Sequence, residues 1–309
     1  MERVRKSVEE LMKSVQSVVV GQRKVIEMLI ATLLAEGHAL LEGVPGVGKT
    51  LIAKTVAKLL GLEFRRIQMT PDTLPSDIIG CMVFNPQSNE FVLRKGPVFT
   101  NILFVDEINR APPKTQAALL EAMQERQVTI EGNTLVLPRP FMVIATQNPI
   151  EMEGTFPLPE AQLDRFLTKI VVEPPSAEEL VEIMRRYYEI SSANPKPVLS
   201  RDEVLEAIEI VKGVYVDSNV MKYIAYLIEE IRRNPLVRLG PSPRGALALY
   251  LLSKSIAFLR GRDYVTPDDV KYVALDALRH RVLLRAEARL SGRKPEDVIV
   301  EALKRVEPP

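Results

Sequence analysis

Gly43-Val44-Pro45-Gly46-Val47-Gly48-Lys49-Thr50 is the stretch whose reading decides the fold. It meets G-x-x-x-x-G-K-[S/T] at every fixed position, the pattern of a loop that cradles a triphosphate. Glycines let backbone N–H groups turn inward around a β-phosphate. Lys49 reaches the β and γ oxygens as a catalytic cation, and Thr50 ligates Mg²⁺. The flanks fit this reading. His38 to Leu41 is a short apolar strand, and Thr50 to Leu60 has helical spacing stopped by Gly61. The positive end of that helix therefore faces the loop. Gly43, Pro45, Gly46, Val47, Gly48, Lys49, Thr50 and Leu51 are the expected contacts of a bound nucleotide.

Working outward, the next signal is Ile102-Leu103-Phe104-Val105-Asp106-Glu107, an apolar strand that ends in two carboxylates. Beside a P-loop, Asp106 is expected to hold the Mg²⁺ shell with Thr50. Glu107 points elsewhere and is expected to polarise a water for in-line attack. A third buried strand, Phe141 to Ala145, runs into Thr146-Gln147-Asn148-Pro149. A polar amide at the C-terminal end of such a strand sits where parallel sheets place ligand sites, so Asn148 is expected to orient the attacking water.

Residues 36–173 alternate strand and helix, with five apolar runs that include Phe64 to Gln68 and Lys169 to Val172. That alternation predicts an α/β fold with a mostly parallel sheet covered on both faces. Two hairpins interrupt it. One spans 82–93 around Pro86-Gln87-Ser88-Asn89, and the other spans 128–137 with a turn at Gly132-Asn133. After Glu173-Pro174-Pro175 every element reads as a helix. Ser176-x-x-Glu179 and Ser200-x-x-Glu203 are capping boxes, Pro243 and Pro267 stand at first helical positions, and Gly213 and Gly261 stop helices. The expected organisation is an α/β domain over 1–173, opened by two helices within residues 1–35, and an all-α domain over 174–309, each able to bury its own core.

Composition removes several function classes. The 309 residues carry a net charge of +1, so no global field draws the chain to nucleic acid or an anionic membrane. Cys81 is the single cysteine and excludes an intrachain disulfide; His38 and His280 are too few for a histidine metal centre. No apolar stretch is long enough to span a bilayer, and the charged N-terminus lacks a signal-peptide core, so a cytoplasmic location is expected. His38 is read as a strand residue without a catalytic role. Arg281, Arg285 and Arg289 have i, i+4 spacing and are read as a solvated helix face, with nucleic acid or an adjacent subunit as the alternative.

Three phrases carry a resemblance: GVPGVGKT from Gly43, ILFVDEINRAPPKTQAALLEAMQE from Ile102 and FMVIATQNPIEMEGTFPLPEAQLDRF from Phe141. From about Val20 onward the chain resembles the MoxR family of AAA+ ATPases. The resemblance implies a P-loop AAA+ core with sheet order 5-1-4-3-2 and a C-terminal helical lid, with ATP and Mg²⁺ as cofactors. It places Val20 and Gly21 at the nucleotide. It gives Asn148 the sensor-1 position and makes Arg165 an arginine finger acting on a neighbouring subunit's ATP. Arg244 becomes sensor 2, reaching the γ-phosphate from the lid. Arg110, just after the acidic pair, competes with Arg165 for the trans role. The hairpins match the helix-2 and pre-sensor-1 inserts, which face the channel of such rings. A homohexameric, chaperone-like remodeller is implied, acting on a client protein and often working with a separate von Willebrand factor A domain protein in assembly or metal insertion. The rival readings are a nucleic-acid motor, disfavoured by the near-neutral charge, and an ATP-dependent assembly switch.

Overall fold

The computed structural model describes residues 2–148 and 154–309; residues 149–153, inside the phrase that begins at Phe141, lie outside the described residues. Five short strands form the central sheet: β1 (Ala39–Glu42), β2 (Phe64–Gln68), β3 (Ile102–Asp106), β4 (Met142–Gln147) and β5 (Thr168–Val171). All pairings are parallel, and the order is β2-β3-β4-β1-β5, which read from the other edge is the expected 5-1-4-3-2. A strand sends alternate side chains to opposite faces. Ala39, Leu41, Ile102, Phe104, Met142 and Ile144 accordingly enter one apolar cluster, while Leu40, Leu103, Val105, Val143 and Ala145 enter another.

Helices cover both faces. The first cluster takes in α1 (Glu2–Gln16), α2 (Arg23–Leu34) and α3 (Lys49–Leu59). It continues without a break into α7 (Arg201–Lys212), α8 (Ser218–Arg233), α9 (Pro243–Leu259), α10 (Pro267–Leu278) and α11 (Pro295–Arg305) once the shorter α5 (Ala177–Arg185) and α6 (Tyr187–Ser192) are passed. The lid therefore shares an apolar mass with the sheet and the N-terminal helices, rather than closing a separate core. The opposite face is covered by α4 (Pro113–Glu125) and the roots of the two hairpins.

The first hairpin pairs Gly80–Asn85 with Glu90–Lys95, and the second pairs Gln127–Ile130 with Asn133–Val136. The turn of the second is Glu131-Gly132, one residue earlier than expected. Both residues have positive φ, at 47° and 79°, which is what a two-residue hairpin turn of the mirror-image kind demands. Asn133 then opens the returning strand opposite Ile130. The hairpins lie side by side, and the first exposes an edge-to-face pair, Phe84 and Phe91, with ring centres 5.5 Å apart.

Helix starts in the lid follow local chemistry. Ser176 and Ser200 cap α5 and α7 with their glutamates returning the bond, and Ser242 caps α9 ahead of Pro243. Two features differ from an all-helical reading. Val237–Leu239 pairs with Leu283–Leu284 as a small antiparallel ribbon. Arg281, Arg285 and Arg289 do not form a helical stripe, because α10 ends at Leu278 and the chain turns into that ribbon before the five-residue helix Ala286–Leu290. Arg281 is buried by this turn, while Arg285 and Arg289 stay exposed. Among the described residues no helix is long and apolar enough to cross a membrane.

A buried histidine and a partly buried glutamate lock the N-terminal end of β1. His38 accepts from the Val143 N–H through Nδ1, so Nε2 carries the proton and donates to Met123 O; both distances are 2.9 Å. Burial pushes its pKa down to about 4, leaving it neutral and structural, one residue before the strand it was expected to open. Glu36 faces Arg126 at 2.9 Å, Arg139 at 2.7 Å and, from the lid, Lys212 at 2.9 Å. Burial pushes its carboxyl upward, but the hydrogen bonds from Lys212 and Arg139 and the charge of Arg126 outweigh this and hold it at about 2, against an ordinary 4.5. A depressed carboxyl contributes stability above its unfolded pKa and loses it as pH falls. Glu36→Gln is expected to lower unfolding stability by about 3 kcal/mol at pH 7, a deficit that shrinks as pH drops below 4.5. Denaturant midpoints of both proteins between pH 7 and 3.5 measure this.

Candidate active site

The loop between β1 and α3 encloses open space. Gly46 and Gly48 have φ of 85° and 88°, which non-glycine residues rarely adopt, and a Cβ on either would meet nothing within 4 Å. Gly43 is glycine for another reason: a side chain there would strike the carbonyl of Val172 beyond β5. Lys49 folds back over the loop and donates to Gly43 O at 2.5 Å and Val44 O at 3.0 Å. Burial lowers its pKa, while the charges of Asp106 and Glu107 pull it upward. A cavity of about 410 Å³ is lined by residues 45–51 together with Asp106, Glu107, Thr146 and Asn148. The structure thus brings the loop, both carboxylates and the amide beyond β4 to one place, at the C-terminal edge of the sheet.

Strand register arranges the acidic pair. Gln68 pairs with Asp106 across β2 and β3, and β4 lies on the other side of β3. Thr146 Oγ1 donates to Asp106 Oδ1 at 2.7 Å and accepts from the Glu107 N–H at 2.8 Å. Glu107 has φ 55°, ψ 55°, an uncommon conformation for a residue with a side chain. Each acid also has a partner from β2 or from the following turn. Arg66 donates to Asp106 Oδ2 at 2.7 Å, Gln68 Nε2 donates to Glu107 Oε2 at 2.7 Å, and Arg110 lies 3.0 Å from the same Glu107 oxygen.

Next to the loop lies a second, apolar cavity of about 180 Å³. Val18, Val19, Val20, Leu51, Ile52, Pro175, Ile183 and Ile190 contribute, and it shares Gly46, Val47 and Gly48 with the first. Its small volume and apolar lining suit a heteroaromatic base. Val20 lies on this wall. Gly21 does not; its φ of 65° and the Glu179 carboxylate packed against it explain the glycine.

Arg165, expected to act on a neighbouring subunit's ATP, and Arg244, expected at this chain's own loop, lie together away from that loop. Arg165 and Arg244 line a separate cavity with Glu36, His38, Asp164 and Arg281. That cavity sits before β1 and β5, at the N-terminal edge of the parallel sheet, roughly 13 Å or more from the loop along a four-residue strand. Arg244 therefore does not reach this chain's own P-loop. Its helix start is held over β5 instead, with Ser242 Oγ donating to Asp164 Oδ2 at 3.0 Å and Arg244 lying 3.8 Å from the same oxygen. Arg110 stays on the loop side, beside Glu107.

Thr146, Gln68 and Arg66 join the site without having been singled out in the sequence. The signal for them was the register: once β2, β3 and β4 are adjacent, polar residues at their C-terminal ends meet the acids.

Residues 38–168 match the family model described as ATPase family associated with various cellular activities (AAA), and residues 229–302 match the AAA lid domain. The chain is 45% identical to Chaperone MoxR1 of Mycobacterium tuberculosis, with 97% of this chain and 82% of that protein covered. It is 44% identical to the uncharacterized protein YeaC of Bacillus subtilis, with 96% and 92% covered. It is 31% identical to Protein MoxR of Paracoccus denitrificans, with 88% and 87% covered. A crystal structure of an ATPase candidate from Cytophaga hutchinsonii superposes with a TM-score of 0.93 at 42% identity, covering 99% of this chain and 96% of that one. Sheet order, phosphate loop and helical lid together define an AAA+ core. The relatives narrow it further, and the chain belongs to the MoxR family of AAA+ ATPases.

Thr146 bonds both members of the acidic pair and is 1% exposed. Thr146→Val keeps its shape but removes the hydroxyl, leaving the Glu107 N–H unpaired. ATP turnover is expected to fall at least tenfold with the thermal midpoint of unfolding lowered by only a few degrees, and Thr146→Ser is expected to retain most of it. Steady-state phosphate release and a melting curve on the three proteins check this.

Proposed function

We propose that this chain hydrolyses ATP with magnesium as part of a homohexameric ring and uses the cycle to remodel a partner protein. The observation that carries the reading is the single cavity joining residues 45–51, Asp106, Glu107 and Asn148. The donor set fits the ligands. Open space inside a glycine-rich loop suits phosphate oxygens, and the Thr50 hydroxyl with the Asp106 carboxylate are the hard oxygen donors that magnesium takes. When bound, the ion would neutralise charge on the β and γ phosphates.

The chain's own groups divide the work. Lys49 exchanges the carbonyls of Gly43 and Val44 for phosphate oxygens. Glu107 accepts a proton from the water that attacks the γ-phosphorus as the bond to the β–γ bridging oxygen breaks, and Asn148 holds that water. The apolar slot at Val20 takes the base. Before this can occur, Arg66 must leave Asp106, and Glu107 must shed Gln68 and Arg110.

Arg165 and Arg244 sit at the far edge of the sheet, so any phosphate they meet belongs to an adjacent subunit. Their fixed planar donors suit charge developing on a transferring phosphoryl group. Arg110, already beside its own Glu107, is the weaker candidate for that role. Exposed Phe84 and Phe91 give the ring an apolar grip on a client, consistent with the chaperone naming of one relative. A von Willebrand factor A domain protein, and cofactor insertion as the outcome, are the partner and task we infer from the family resemblance. A cytoplasmic location goes with that reading.

The occupied state of both acids favours a second reading, in which resting turnover is slow and ATP chiefly drives assembly. Turnover with and without partner separates the two: a partner-independent rate with ATP-dependent mass change fits the switch. For the catalytic assignment, Glu107→Gln is expected to bind a fluorescent ATP analogue within threefold of the parent while turnover falls at least a hundredfold. An unchanged rate would remove Glu107 from its role. Capture of partners with the same variant identifies the client.

A further inference from the structure

Arg281 is read in the sequence as a surface residue, yet its side chain is 3% exposed and every nitrogen of its guanidinium is used. Nε donates to Asp164 Oδ1 at 2.7 Å. Nη2 donates to Asp164 O at 3.1 Å and Phe166 O at 2.7 Å. Nη1 donates to Leu167 O at 3.1 Å and to Ala277 O on α10. Four of these five bonds fall on the segment 164–167, on both sides of Arg165. The neighbouring His280 adds a bond of 3.0 Å between Nε2 and Phe166 O. Phe166 is fully buried, and the other Asp164 oxygen takes the Ser242 hydroxyl. Arg165 itself is exposed, and among the described residues its guanidinium has no partner.

We propose that Arg281 is a positioning residue for Arg165: it staples the backbone on either side of Arg165 to the lid, so that the lid sets where this guanidinium is presented to the neighbouring subunit. The inference rests on the reading that Arg165 acts in trans. A buried ion pair is weak evidence for stability alone, because desolvation offsets the attraction and apolar residues can fill the same volume. What this guanidinium achieves, and an apolar residue or a lysine cannot, is simultaneous fixation of three carbonyls and a carboxylate in one plane. The three carbonyls belong to a segment of four residues whose one unheld side chain is Arg165. Ser242 and Arg244, at the start of α9, meet the same Asp164, so the segment is tied to two lid elements.

The test is complementation in mixed rings. Arg281→Gln is expected to bind a fluorescent ATP analogue within twofold of the parent, yet to turn over ATP at least tenfold more slowly on its own. Mixed one to one with Glu107→Gln, which offers an intact Arg165 but no hydrolysis, its turnover per Arg281→Gln subunit is expected to rise about fivefold. Only a defect in what a subunit gives its neighbour is repaired this way; a damaged lid or P-loop is not. Arg165→Ala mixed with Glu107→Gln is the control. If that mixture stays inactive, the trans reading fails. If it recovers while the Arg281→Gln mixture does not, or if Arg281→Gln alone runs at the parent rate, the staple is overturned. Should Arg281→Gln be insoluble, Asp164→Asn retains the carbonyl acceptors and is expected to show a loss of at least threefold that the same mixing repairs; an unrepaired loss overturns the proposal equally.

Discussion

The hydroxyl of Thr146 is the contact on which the catalytic edge depends. It donates to one acid and accepts from the backbone of the next, and so joins β4 to the turn that leaves β3. Glu107 occupies a left-handed conformation that a residue with a side chain adopts only when its surroundings enforce it. The bond to its N–H is part of that enforcement. With the turn held, both carboxylates line one cavity with Thr50 and Asn148 yet keep different partners, Arg66 for Asp106 and Gln68 with Arg110 for Glu107. Sheet order places these groups: β3 lies between β2 and β4, and β1 with its phosphate loop lies next to β4.

Local chemistry was legible in the sequence, and the family resemblance supplied the sheet order; contacts made across strands and by the docked lid were not legible. The loop at 43–50 and the acids at 106 and 107 belong to short patterns whose geometry is set within a few residues, and the structure brings them together. Capping serines and strand alternation are equally local. Thr146, Gln68 and Arg66 were missed because their importance comes from a neighbouring strand. The spacing of Arg281, Arg285 and Arg289 imitates a helix face, but Leu278 ends the helix, and no local signal says that the next turn folds inward. Arg244 was expected at the chain's own phosphate loop. Its actual position follows from where the lid docks, and that is decided by packing over the whole first core.

The two edges of the sheet have opposite characters. At the C-terminal edge, two carboxylates, a lysine and a glycine-rich loop surround space. At the N-terminal edge, Arg165 and Arg244 project beside a neutral histidine and the strongly held Glu36. The loop cavity and the exposed guanidinium of Arg165 thus stand at opposite ends of the strands, an arrangement that fits the head-to-tail ring proposed above better than two-fold pairing.

The apolar mass shared by the lid, α1, α2 and one face of the sheet constrains how the molecule can move. Swinging the lid away would tear Val204, Ile208, Leu249 and Leu252 from that mass, and voids in a packed interior cost about 24 cal/mol for each Å³ left empty. Small sliding steps between helices avoid such voids, whereas a wide hinge does not. Each protomer therefore behaves as a nearly rigid lever. In the ring proposed above, displacement at a bound nucleotide would pass between subunits as rotation of whole chains, and the seams between chains would be the compliant joints.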